Sequence, residues 1–131
     1  MLYLKTKYFA RWGRKEGVTD SALCGAIREF ENGLYDADLG NHLFKKRIAL
    51  PGRGKSSGAR TILFYQREKK LIFCFGYRKN QQEDLSSDEE RMVNKLSDVY
   101  QNSSDESVIK DIQYQEFIEI SQEEGSNEKF D

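Results

Sequence analysis

Between Lys45 and Lys79 the chain reads KKRIALPGRGKSSGARTILFYQREKKLIFCFGYRK. Eleven Lys or Arg fall there (45, 46, 47, 53, 55, 60, 67, 69, 70, 78 and 79) against a single acid, Glu68. Most sit at the ends of two apolar runs, Thr61–Tyr65 and Leu71–Tyr77, or in the Gly-rich loop before them. Cations gathered in this way hold a polyanion, and RNA is the polyanion on which they can also do chemistry. Cleaving RNA through its own 2′-OH needs a base on that hydroxyl, charge stabilisation at the phosphoryl oxygens and a proton for the departing 5′-oxygen. A Lys crowded by other cations has its pKa lowered and can act as the base, while Arg grips the oxygens two at a time. No metal or cofactor is required.

Other chemistries find little support. His42 is the only histidine and reads as an ordinary loop residue, so no His pair or His-rich metal site can form. Cys24 and Cys74, fifty positions apart among apolar neighbours, read as buried free thiols in a reducing compartment. The pairs Asp36/Asp38 and Glu123/Glu124 read as solvated surface. Gly54-Lys55-Ser56 resembles the end of a nucleotide-binding P-loop, but Ala49 stands where its first Gly belongs and a strand is expected to follow. A Walker-type site is therefore rejected, leaving a loop that offers backbone N–H groups and a Lys to phosphate.

Elements that must position these residues can be read from the hydrophobic periodicity. Leu2–Lys7 alternates as a first strand, and Phe9 and Trp12 mark a short helix stopped at Gly17. Thr19 or Asp20 caps a second helix carrying Leu23, Ala26, Ile27, Phe30 and Leu34, with Asn32-Gly33 as its stop. Asp36–His42 reads as a polar connection, Leu43–Leu50 as a strand and Pro51–Gly58 as a loop. In that strand Lys45 and Arg47 point away from Phe44 and Ile48. Arg60–Arg67 and Leu71–Arg78 pair as an antiparallel hairpin, with Leu71, Phe73, Phe75 and Tyr77 on one face of a central strand. After a turn over Asn80–Leu85, Ser86/Ser87 and Glu89/Glu90 give a capping box for a helix carrying Met92, Val93, Leu96, Val99 and Tyr100. The expected architecture is α+β, with helices packed on one face of an antiparallel sheet.

Charge divides the chain. Residues 1–80 hold seventeen Lys or Arg and seven Asp or Glu, +10, whereas residues 81–131 hold four and fifteen, −11. The total of −1 thus hides a strongly positive half. Two segments are expected: a domain over 1–102, and an acidic extension over 103–131 with charge −7. Within the extension Val108, Ile109 and Ile112 fit a helical turn, Glu116–Ile120 a short strand, and Gly125–Asp131 a frayed end. The extension either folds back on the basic cleft and competes with RNA or serves as a solubilising tail. No signal peptide or membrane-spanning run is visible, so a cytoplasmic location is expected.

The stretch LFKKRIALPGRGKSSGARTI, followed by FCFGYRKNQQEDLSSDEE, resembles RelE/HigB-type toxins of bacterial type II toxin–antitoxin systems, and within them the HigB-like branch. Lys45, Lys46, Arg47, Ala49, Pro51, Gly52, Gly54, Lys55, Ser56, Gly58, Arg60 and Thr61 match the branch's first motif. Gly76, Tyr77, Lys79 and Asn80 match its second. The segments FARWGRKEG, DADLG and EFIEI also resemble it, so the likeness covers roughly residues 5–121. It implies a β-α-α-β-β-β-α fold and a metal-independent mRNA endoribonuclease, often working at the ribosome. It also implies inhibition by a cognate helix-turn-helix antitoxin. Residue by residue it implies Lys46, Arg60 and Lys79 as the catalytic group and Lys45, Arg47, Arg53, Lys55, Arg78 and Asn80 as RNA contacts. Ala59 stands where relatives often carry an aromatic, and Gln81-Gln82 where they often continue with Glu-Arg. A relative of the gyrase-inhibiting ParE toxins, or a non-catalytic RNA-binding module, would share the same fold.

Overall fold

The structure, a computed structural model, describes residues 1–52 and 58–122. Its elements are β1 (Leu2–Thr6), α1 (Lys7–Glu16), α2 (Asp20–Glu31), β2 (Ala37–Gly40) and β3 (Leu43–Ile48). They continue with β4 (Ala59–Gln66), β5 (Lys70–Arg78), α3 (Ser87–Gln101), α4 (Asp105–Gln113) and β6 (Phe117–Glu119). The six strands form one sheet in the order β2-β3-β4-β5-β1-β6. The class is the expected α+β.

Local sequence sets the helix ends. The Thr6 hydroxyl accepts from the Phe9 N–H (2.9 Å), and Gly17 ends α1 at φ 80°, a left-handed conformation that suits glycine. Thr19 caps α2. At α3 Ser86 accepts from the Glu89 N–H while Glu89 accepts from the Ser86 N–H, completing the expected capping box. No described helix is long and apolar enough to cross a membrane.

Several details differ from the sequence reading. Helices cover both faces rather than one. On the first face α1 and α2 bury Phe9, Leu23, Ile27 and Phe30 against Ile48, Leu63, Leu71 and Phe73. On the second, Val93 and Tyr100 of α3 and Val108 of α4 pack against Leu4, Leu43, Ile62, Phe64 and Ile72. A sheet buried on both sides explains why β5 is apolar almost throughout. The sheet is mixed: β1 runs parallel to β5, with Leu4 beside Ile72, and β6 lies antiparallel on its other side. The polar stretch Asp36–His42 contains an edge strand, β2, which turns into β3 through Asn41 and His42 at positive φ. Its side chains are mostly exposed, so only backbone pairing reveals it. Leu34 lies beyond α2 and is exposed. On α3 Val99 is exposed and Ser97 is buried, donating to the Asn41 carbonyl. Cys74 is buried, whereas Cys24 is half-buried with its thiol against the Ser121 carbonyl.

A β-bulge in β5 changes its facing. Ile62 pairs with Phe75 but Leu63 pairs with Phe73, so Cys74 is an extra residue opposite β4. Leu71 and Phe73 therefore face α1 and α2, while Phe75 and Tyr77 join the second face. The expected single row of four does not form.

Gly76 lies beneath the Trp12 indole. A Cβ there would fall 2.4 Å from Cζ3 and 2.7 Å from Cε3 and Cη2 of Trp12. Gly76→Ala is expected to lower stability by about 1–3 kcal/mol, the usual cost of overpacking. Thermal unfolding should show the loss shrinking in a Trp12→Leu background, where the ring no longer opposes the methyl.

Candidate functional site

Cross-strand register gathers the basic residues at one end of the sheet. Arg47 of β3 pairs with Arg60 of β4, and Arg60 pairs with Tyr77 of β5. These three share the face that carries α3. One register step inward on the same face come Lys45, Ile62 and Phe75. Arg60 is only 8% exposed, while the Arg47 side chain is 43% exposed.

Acids from loops brace this row. Asp36, between α2 and β2, accepts from Arg47 Nε at 3.1 and 3.2 Å and lies 3.5 Å from Arg60 Nε. Asp36 is a surface residue, as its sequence context suggested, but its side chain is only 17% exposed and is paired rather than free in solvent. Asp84, in the loop ahead of α3, lies 3.3 Å from Lys45 Nζ. The Leu85 N–H, helped by Lys45, holds the Asp84 carboxyl below its usual range. The Tyr77 hydroxyl is buried and has no hydrogen-bond partner among the described residues. Burial, with the nearby acids Asp84, Glu89 and Asp36, pushes its pKa up to about 12 against the pull of Arg60. Tyr77 therefore holds its proton at neutral pH and can donate but not act as a base.

The other expected site residues are distributed differently. Lys46 points to the opposite face, is 3% exposed, and donates to Glu29 of α2 at 2.6 Å. Arg78 also turns that way, with Nη1 3.6 Å from Glu16 of α1. Lys79 and Asn80 are exposed just past β5, where the Lys79 N–H donates to the Gly58 carbonyl. Arg53 and Lys55 lie outside the described residues. His42 sits at the far end of β3, its Nδ1 3.2 Å from the Tyr65 carbonyl oxygen.

Gly58 has a packing role at the mouth of the loop. A Cβ there would lie 2.4 Å from the Ile48 carbonyl oxygen, so only glycine lets the chain enter β4 beside β3 and bring Arg60 into register with Arg47. Asp36 and the facing of Tyr77 were missed from sequence. The signal for Tyr77 was a bulge that no periodicity reveals, and Asp36 carried none beyond its type.

Glu29 is about a third exposed, so the Lys46 pair is only partly desolvated. Lys46→Met is expected to cost about 1–3 kcal/mol in chemical denaturation, since it removes the buried end of the Lys46–Glu29 ion pair.

A comparison of the sequence with curated proteins finds no match. A family model described as the RelE toxin of the RelE / RelB toxin-antitoxin system matches residues 1–120. That span runs from β1 through β6, and so takes in both cores and the Arg47–Arg60–Tyr77 row. The chain belongs to the RelE family of toxin–antitoxin toxins, and a cognate antitoxin is its implied partner.

Proposed function

We propose that this toxin is a metal-independent endoribonuclease that cuts mRNA, on the ribosome, and that it is of the HigB-like type held in check by a helix-turn-helix antitoxin. The observation that carries the reading is the Arg47–Arg60 cross-strand pair: two guanidiniums on one face at the sheet end, backed by the buried Tyr77. A phosphodiester seated there is held by Arg60 and Arg47, with Lys45 adding positive charge. The 2′-oxygen attacks phosphorus as its proton leaves, the P–O5′ bond breaks as the departing oxygen takes a proton from water, and the products are a 2′,3′-cyclic phosphate and a 5′-hydroxyl. Arg60 stabilises the charge that develops on the phosphoryl oxygens. Lys79, exposed at the end of β5, is the candidate base for the 2′-hydroxyl. Tyr77, its hydroxyl buried, backs Arg60 from β5. Lys46 and Arg78, on the other face, support the site as braces to α2 and α1.

The test is cleavage of a defined message in the presence of chelator, with and without ribosomes. Wild-type protein is expected to yield cyclic-phosphate ends, and Arg60→Ala to lose at least about a hundredfold in rate while keeping the fold, as removal of one oxyanion donor does. Lys46→Met should cut RNA at a rate near wild type. Intact message in every wild-type reaction, together with inhibited gyrase supercoiling, would replace this reading with a protein-targeted toxin. Wild-type rates from Arg60→Ala would remove Arg60 from the chemistry.

A further inference from the structure

Arg47 and Arg60 are direct cross-strand partners, and like charges placed opposite one another repel. Asp36 lies against both. Its carboxylate meets Arg47 through Nε and faces Arg60 through Nε, the inner corner of each guanidinium. Contact at Nε fixes the plane of an Arg head from its side-on edge, which Nε–H shares with one terminal N–H, and so leaves the acid off the end-on edge formed by the two terminal nitrogens. The backbone of Asp36 is held independently: its N–H donates to the Lys45 carbonyl at 2.8 Å, and Ala37 next to it pairs with Lys45. The side chain is thus not what anchors this segment.

We infer that Asp36 is a positioning residue for RNA cleavage: its carboxylate holds Arg47 and Arg60 side by side in the orientation that receives the phosphate. This rests on the ribonuclease reading above. The same acid places a negative charge beside the incoming phosphate. Asp36 therefore weakens ground-state binding while it sets the geometry that the transition state uses. A brace needed only for folding would move binding and turnover in the same direction. An acid that only repelled RNA would, on removal, improve both.

The experiment compares wild type, Asp36→Asn, Arg60→Ala and the double variant. It uses one cleavable RNA and the same RNA with a 2′-deoxy nucleotide at the cleavage site, with circular dichroism as a check on folding. For Asp36→Asn, affinity for the uncleavable RNA is expected to rise about fivefold, from loss of one nearby charge. KM should fall with it, and kcat should fall about tenfold or more as the Arg heads lose their orientation. In the Arg60→Ala background Asp36→Asn should lower residual cleavage by clearly less than in the wild-type background, since of the two heads it orients only Arg47 remains. A kcat for Asp36→Asn within about twofold of wild type would overturn the positioning role and leave the ribonuclease reading standing. Weakened binding together with lower kcat would overturn it in favour of a folding role. Wild-type protein that binds but never cuts RNA would overturn the ribonuclease reading, and the positioning role with it.

Discussion

The basic end of the sheet depends on the bulge at Cys74. An antiparallel pair without it would carry the alternation of Leu71 and Phe73 straight through the strand. Tyr77 would then fall on the α1 face, and Gly76 and Arg78 on the face of Arg60. With the extra residue, Tyr77 lies across from Arg60 and Gly76 slips under Trp12. The bulge sits among buried residues, where Phe9, Phe64 and Phe73 leave no room for slippage. Packing of the two cores thereby fixes which side chains can reach a ligand at the sheet end.

Electrostatics follow from the same geometry. In sequence the segment 45–79 is almost purely cationic, but in space its positive charges are met by acids from elsewhere. Glu16 reaches Arg78, Glu29 reaches Lys46, Asp36 reaches Arg47 and Arg60, and Asp84 reaches Lys45. Each acid belongs to a different segment. The ion pairs therefore tie α1, α2 and two loops to the sheet, and they reduce the field that the sequence count suggests.

Much of this was legible in the sequence, and the parts that were not share a cause. Helix caps are local, so Gly17, Thr19 and the Ser86/Glu89 box could be read directly. The β4–β5 hairpin was equally plain, because its apolar runs and its turn lie within twenty residues. The basic cluster that contains Arg47 and Arg60 was visible from charge and motif, whereas their cross-strand pairing was not. Strand β2 was invisible because its pairing is made by backbone. The parallel β1–β5 pairing was invisible because it joins residues almost seventy positions apart, and the second helical layer because no local signal says which sheet face a helix covers. Lys46 was grouped with its neighbours by sequence, yet strand alternation sends it to the other face, where Glu29 meets it.

The position of β1 bears on the order in which the molecule can be made. The first strand of the chain lies between β5 and β6, and neither exists until residues 70–78 and 117–119 have been synthesised. While translation proceeds, Leu4 has no Ile72 to lie beside, and β1 must wait with both edges unpaired. Contacts of such long sequence separation close late and slowly. A nascent chain of this toxin therefore cannot complete its sheet until residues 117–119 have followed β1 by more than a hundred positions, and the strand made first is among the last to be paired on both sides.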